Sequence, residues 1–369
     1  MDNKNGVKIN LGYSDKIPVY SNPDAMLNGS IALIGGSGSG KSIEAQRIIS
    51  CIVEKGGTVV VISQHGSFTE DQIFSYYKPI IDDYRNDIYA YDDGIPVHLF
   101  DPVEFSDGTM EQEIDMIGSI VDIISRALHL GIRQKEVLRT AIQKVRERGT
   151  YLVNGFSAIG DALGGGSSTK INNELYDRMQ YLFRHNVFVD GDGLIKQNAI
   201  NVIHLDKLDL SLQEVVCEML LAYIWRLANA DQFKVDGGIY LFIDECQNAS
   251  TNSKSPLALM LSEGRRMGIN LILATQMILQ STTNSVQQRI SQCGLILYFR
   301  PAASRISMTA RLVSSSASAK WEEKLRGLKK GSFIATGEFL FGNKQVDYPL
   351  LVTADVGEIA VLDKEYKLF

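Results

Sequence analysis

The sequence predicts an α/β fold with a mainly parallel central sheet and a helical insertion. Short apolar runs alternate with helical patterns along much of the chain, as strands and crossover helices do. Between about residues 101 and 235 that rhythm breaks, and apolar positions recur three and four apart instead. Near the amino terminus a glycine-rich loop stands between an apolar run and a helical stretch, the order in which a sheet presents a loop to a phosphate.

Composition narrows the class. With 45% apolar residues, 22% charged residues and only 8 prolines, the chain buries a core rather than staying disordered. Its 369 residues suit one expanded domain or two. A net charge of −6 argues against coating nucleic acid with the whole surface, but leaves room for a local basic channel. Cys51, Cys217, Cys246 and Cys293 lie far apart without a CxxC pair, so neither a zinc site nor a disulfide framework is indicated, and they read as reduced cytoplasmic thiols. The opening MDNKNGVKINLGY has no signal-like apolar region and no apolar run reaches bilayer length, so a soluble, cytoplasmic chain with no membrane segment of its own is expected.

Strands are expected at 30–34, 58–62, 87–91, 238–243, 270–274 and 295–299, mostly Val, Ile and Leu runs suited to burial on both faces. TMEQEIDMIGSIVDIISRALHL, QKEVLRTAIQKVRERG and NNELYDRMQYLFR read as amphipathic helices of the insertion. The stretch 155–170, with LGGGSSTK, has no clear strand before it and no Gly-Lys-Ser after it, so it reads as a flexible linker rather than a second phosphate loop. GSFIATGEFLFGN with QVDYPLLV reads as a small antiparallel hairpin at the sheet edge. The expected division is a core at 1–100 and 236–350, the insertion at 101–235 and a tail at 351–369. No internal repeat is evident.

The chemistry starts at IALIGGSGSGKS, which satisfies G-x-x-x-x-G-K-[ST] in full. The loop Gly35, Gly36, Ser37, Gly38, Ser39 and Gly40, with Lys41, Ser42 and Ile43, is the expected nucleotide site, its amides converging on a phosphate at a helix N-terminus. Gly36, Gly38 and Gly40 let the backbone approach phosphate oxygens with no Cβ in the way. Lys41 would bridge the β- and γ-phosphates and the Ser42 hydroxyl would ligate Mg²⁺.

GIYLFIDECQ adds an apolar strand that ends in two carboxylates. Asp244 suits the metal side of a Walker B strand, and Glu245 is placed to polarise the attacking water as a general base. Read alone, the pair is also what an acidic strand-to-loop turn looks like. EGRRMGINLILATQ then supplies an Arg-bearing helix end, a glycine stop, a strand, and Thr275 and Gln276 at its carboxyl end, where ligands of open α/β sheets sit. Gln276 is a candidate γ-phosphate sensor; the alternative is a polar residue capping the next segment.

Together these segments resemble the HerA/FtsK superfamily of ring-forming DNA translocases. SEGRRMGINLILATQ is similar to that family's sensor segment, and Asp244-Glu245 on its strand is similar to its Walker B. VVVISQHGSF, where the family often carries an Asp and a Gly after the second strand, and NVIHLDKLDLSLQEVVCEMLLAYIWRL, which resembles the strand and long helix before Walker B, are weaker likenesses, and the resemblance spans about residues 8–338. Two features depart from the family: Ser63 stands where an Asp is usual, and only about 30 residues precede the loop, too few for the N-terminal barrel of many HerA proteins.

The resemblance implies a RecA-like (ASCE) P-loop fold, ATP and Mg²⁺ as cofactors, and a homo-oligomer in the form of a hexameric ring with nucleotide at subunit interfaces. It also implies an arginine finger supplied by a neighbouring subunit. The candidates are Arg265, Arg266, Arg300, Arg305 and Arg311; Arg300, which ends the strand LILYFR at the expected sheet edge, is favoured, with Arg266 second. Double-stranded DNA in the pore would meet the polar loops QNASTNSKSP and MILQSTTNSVQQR, where Lys254 and Arg289 are the candidate DNA contacts. From Arg300 to Lys330 there are eight Lys or Arg against two Glu, which suits DNA or a solvated helical face about equally. The expected function is an ATP-driven DNA translocase working with a partner nuclease or effector in DNA processing, transfer or antiphage defence. The alternative is a protein-secretion motor or assembly scaffold that does not act on DNA.

Overall fold

Side chains on a strand alternate between its two faces, so a strand covered on both sides must be apolar throughout. The sequence around the glycine-rich loop obeys this rule. The computed structural model describes residues 8–164, 169–233, 238–249, 254–276 and 290–354. In chain order the strands are β1 Ile9–Ser14, β2 Ile17–Ser21, β3 Ile31–Ile34, β4 Thr58–Ser63, β5 Arg85–Tyr89, β6 Ile95–Pro96, β7 Phe188–Val189, β8 Ile200–His204, β9 Ile239–Ile243, β10 Ile269–Thr275, β11 Leu295–Tyr298, β12 Ser332–Gly337, β13 Phe339–Phe341, β14 Lys344–Val346 and β15 Leu350–Thr353. The helices are α1 Lys41–Val53, α2 Lys78–Tyr84, α3 Glu113–Ala127, α4 Ile132–Arg148, α5 Tyr151–Asn154, α6 Ser157–Leu163, α7 Lys170–Arg184, α8 Leu210–Asn229, α9 Pro256–Glu263, α10 Ile306–Val313 and α11 Ser318–Arg326. Among the described residues no helix is long and apolar enough to cross a membrane.

Among the described residues thirteen strands form one sheet in the order β14-β13-β2-β1-β15-β12-β11-β3-β10-β9-β4-β8-β5. From β11 to β5 neighbouring strands are parallel, and from β14 to β12 they are antiparallel, as is the β12–β11 junction. Alternate residues of the parallel strands feed two cores. Ala32, Ile34, Val60, Ile62, Leu241 and Leu273 face one, with α3, α8, α9, α10 and α11 packed on it. Ile31, Leu33, Val59, Val61, Phe242 and Ile272 face the other, which α1 and α2 cover. Because β3 lies between β11 and β10, with β9 beyond β10, the chain's loops after β3, β9 and β10 emerge side by side at the carboxyl end of the sheet.

The helical segment leaves the sheet at β6 and returns at β7, and these two short strands pair in parallel, Ile95 with Phe188 and Pro96 with Val189. Just past them His98 joins the two connections: Nδ1 lies 3.2 Å from Asp190 and 3.3 Å from Asp101, and Nε2 lies 2.9 Å from Asp192. The hydrogen bond to Asp192, opposed by partial burial and reinforced by Asp190, holds the imidazole above its ordinary pKa.

Several expectations need correction. The span 101–235 is not all helical insertion, because β8 pairs with β4 and β5 inside the central sheet and α8 packs against it. The strand expected at 87–91 runs instead over Arg85–Tyr89, in register with β8. Part of the expected linker is α6, whose Ala158, Ile159 and Leu163 are buried in the core; residues 165–168 lie outside the described residues. The final segment is more than an edge hairpin: β13 and β14 do form one at the edge, but β12 and β15 lie inside the sheet, so residues 351–353 of the expected tail are strand. The N-terminal hairpin β1–β2 had no place in the expected strand set and pairs with β15 and β13. For the same reason β11 is not an edge strand, since β12 and the strands beyond it extend the sheet past it.

Candidate nucleotide site

The loop after β3 is stitched to both neighbouring strands. The Gly35 N–H donates to the Thr275 carbonyl at 3.1 Å, and the Gly36 N–H donates to the Arg300 carbonyl at 2.9 Å. A Cβ on Gly35 would come within 2.6 Å of the Phe299 Cβ, so this close approach requires glycine. Gly40 has φ +106° and caps α1, whose first amides therefore open onto the loop.

Lys41 is 7% exposed, and its ammonium donates to the Gly35 carbonyl at 2.9 Å and the Gly36 carbonyl at 3.0 Å. Burial lowers its pKa below the ordinary lysine value, while the charges of Glu245 and Asp244 oppose that drop. Ser42 is exposed in the first turn of α1, Ile43 is half-buried behind it, and the buried Ser39 hydroxyl has no hydrogen-bond partner among the described residues. A buried cation, a helix N-terminus and an unsatisfied hydroxyl on one loop suit a polyphosphate.

The two carboxylates stand at the end of β9, and β10 alone separates that strand from β3. Asp244 is 7% exposed, and burial first, then the charge of Glu245, raises its pKa. Its carboxylate also accepts the Glu245 N–H at 2.9 Å. Glu245 has left-handed backbone angles, φ 49° and ψ 47°, which turn its side chain off the strand direction. Both of its carboxylate oxygens are engaged, Oε1 by the Gln276 amide and Oε2 by the Gln247 amide. Gln247 in turn accepts from the Thr275 hydroxyl at 2.6 Å. Lys41 is the cation set against the Asp244 and Glu245 charges, so a divalent cation held by Ser42 and Asp244 fits the charge balance.

The arginine candidates separate into two groups. Arg300 is exposed and lines a cavity of about 560 Å³ together with Gly36–Ser39, Arg326, Lys329 and Lys330 of the same chain. Much of the basic 300–330 segment is thereby placed beside the P-loop. Arg265 and Arg266 precede β10 and so occupy the amino end of the sheet, a full seven-residue strand away from Gln276, or about 20 Å. Arg265 donates to the Leu27 carbonyl, and Arg266, with 72% of its side chain exposed, pairs with Glu263 at 3.0 Å. Arg305 and Arg311 lie at the start of α10 and in its last turn.

Of the candidate DNA contacts, Lys254 sits exposed just before α9, and its carbonyl accepts from Arg126 of α3 at 2.6 Å. Arg289 lies outside the described residues, with the rest of 277–289. Sequence reasoning placed Gln247 in a pore loop, whereas it rests against Glu245; its position two residues past the carboxylate was the available signal. Lys329 and Lys330 reach the P-loop from almost 300 residues away, and only their basic clustering marked them.

The family model for "Helicase HerA, central domain" matches residues 9–224. No curated protein matches the chain by sequence. The structure of VirB4 of Thermoanaerobacter pseudethanolicus is similar, with TM-score 0.68 and 14% identity over 97% of this chain and 99% of that one. The bacterial conjugative coupling protein TrwB is similar at TM-score 0.58 and 13% identity, covering 94% of this chain and 88% of that one. Another TrwB structure, in complex with ADP and Mg²⁺, gives TM-score 0.55 and 14% identity over 90% and 86% of the two chains.

Proposed function

Because the chain belongs to the HerA central-domain family, whose members are P-loop ATPases of the HerA/FtsK type, we propose that it is an ATP-hydrolysing motor that forms a hexameric ring and moves double-stranded DNA. The observation that carries the ATPase half is the convergence of Lys41, Asp244, Glu245 and Gln276 at the carboxyl ends of three adjacent strands. The DNA half rests on family membership, and Lys254 and Arg289 are its proposed contacts. A partner nuclease or effector is proposed on the same footing.

The P-loop amides and Lys41 bind and orient the phosphates, and Ile43 lies beside them at the start of α1. Ser42 and Asp244 would hold Mg²⁺, which offsets phosphate charge when bound. Glu245 takes a proton from the attacking water, the water oxygen bonds to the γ-phosphorus, and the β,γ-bridging bond breaks with its electron pair left on ADP. Gln276 orients the water or the γ-phosphate. Arg300, the favoured candidate for a neighbour's finger, lies beside its own P-loop and serves instead the nucleotide of its own subunit. Arg266, at the opposite end of the sheet, then takes the role of the neighbour's finger.

The test is the ATPase rate with and without duplex DNA, for wild type beside Lys41→Ala and Glu245→Gln. Expected are stimulation by DNA, loss of nucleotide binding in Lys41→Ala, and nucleotide binding with hydrolysis reduced by roughly 10²–10⁴-fold in Glu245→Gln. A ring whose hydrolysis ignores DNA would sink the translocase reading and favour a motor or scaffold for another cargo.

A further inference from the structure

An amide that is hydrogen-bonded at both ends cannot turn without breaking both bonds. Gln247 is in that state: its Nε2 donates to Glu245 Oε2, and its Oε1 accepts from the Thr275 hydroxyl at 2.6 Å. Thr275 is itself fixed, being 1% exposed at the end of β10, with its carbonyl taking the N–H of Gly35. A chain of contacts therefore runs from the first residue of the P-loop, through Thr275 and Gln247, to the carboxylate. Gln276, by contrast, is exposed at the end of its strand and holds the other oxygen, Oε1.

We propose that Gln247, anchored by Thr275, is a positioning residue that keeps the Glu245 carboxylate aimed for proton abstraction while Gln276 exchanges its contact with Oε1 for one with the nucleotide. The proposal rests on the reading of this site as an ATPase. The need for such a restraint follows from the local backbone. Glu245 leaves β9 through a left-handed turn, so the strand does not set the direction of its side chain, and a long acidic side chain on a turn needs fixed neighbours to point one way. With Oε2 held by Gln247, release of Oε1 by Gln276 yields a carboxylate that is both oriented and available. A single amide cannot provide both states.

The experiment measures kcat and KM for ATP, binding of a non-hydrolysable ATP analogue and thermal stability in wild type, Gln247→Ala, Thr275→Ala and Thr275→Ser. Gln247→Ala is expected to lower kcat roughly tenfold with KM and analogue affinity unchanged, as befits lost positioning of a general base. Thr275→Ala should lose less, and Thr275→Ser, which keeps the hydroxyl, should recover most of that loss. Wild-type kcat in Gln247→Ala overturns the proposal. So does a kcat loss matched by an equal loss of analogue affinity, or a Thr275→Ser protein no better than Thr275→Ala, a pair that decides the matter even if Gln247→Ala fails to fold. A wild-type protein that hydrolyses no ATP is a different result and overturns the ATPase reading itself.

Discussion

In the parallel half of the sheet, β3 and β4 are apolar at nearly every position, both faces are covered, and the loops at one end carry a lysine, two carboxylates, two glutamines and an arginine. In the antiparallel half, β1 mixes buried and half-buried positions, β14 has no buried residue, and backbones approach closely at Gly12 and Gly337, where a Cβ would clash. One half concentrates chemistry at strand ends, while the other distributes stability along strand flanks. Mutations in the two halves should therefore fail differently, and the arginine candidates test the same contrast within the catalytic half.

The largest effect concerns Arg300 and Arg266, which stand at opposite ends of the parallel strands. If Arg300 acts on its own nucleotide and Arg266 on a neighbour's, each single Ala variant should lose on the order of 10³-fold in hydrolysis, the scale of an arginine finger. Mixed rings separate them. Lys41→Ala subunits combined with Arg266→Ala subunits should regain activity, because an intact P-loop can then meet an intact finger. Lys41→Ala combined with Arg300→Ala should regain none. Recovery in the second mixture alone would reverse the assignment.

Next in size is a defect confined to the antiparallel half. Gly337 ends β12 with φ +104°, and a Cβ there would come within 2.1 Å of the Gly294 carbonyl oxygen. Gly337 pairs with Leu295, the first residue of β11, so it lies at the far end of that strand from Arg300. Gly337→Ala combines backbone strain with a clash and should cost roughly 2 kcal/mol or more of stability. Calorimetry should show a lower Tm while the affinity for an ATP analogue stays at the wild-type value. A loss of nucleotide affinity in the folded variant would mean that the two halves are coupled.

The same contrast explains what was legible in the sequence. β3, β4, β9, β10 and β11 announce themselves as apolar runs because both of their faces are buried, and the P-loop is read directly because its parts are contiguous. β8 is missing from the expected strand set, and only the likeness of its segment to the family's strand and long helix before Walker B points to it, because its second residue is Asn201. That side chain is fully buried, yet it donates to the carbonyls of Val59 and Lys196 and accepts from Asn86 and from the Lys196 N–H, so the polar break in the pattern is satisfied rather than exposed. β1, β2 and β15 mix buried with half-buried or exposed positions, and the pairing of Tyr13 in β1 with Thr353 in β15 spans most of the chain, which no local period reports. At the site, Lys41, Asp244, Glu245 and Gln276 belong to contiguous motifs. The contact between Gln247 and Thr275 and the place of the Arg326–Lys330 segment emerge only when the strands are laid side by side.

The smallest predicted effect lies at neither half but at the joint where the helical segment leaves and re-enters the sheet. His98 can pair with Asp101, Asp190 and Asp192 as ions only while its imidazole is charged, and the Asp192 and Asp190 carboxylates raise its folded-state pKa above the ordinary 6.5. A raised pKa means that the charged form is stabilised by folding, so its contribution is fully present below pH 6.5 and fades as the pH rises through the folded value. With 40% of the side chain exposed, solvent screening limits that contribution to about 1 kcal/mol or less. His98→Gln should therefore unfold at lower denaturant concentration than wild type at about pH 5.5, and the two proteins should converge at about pH 9. Because β6 and β7 pair through their backbones and Ile95, Phe188 and the adjoining Val97 are buried, the joint should stay closed when the clasp is uncharged. Hydrogen exchange at residues 95–98 that accelerated on raising the pH no faster in wild type than in His98→Gln would show that the ion pairs add nothing to that closure.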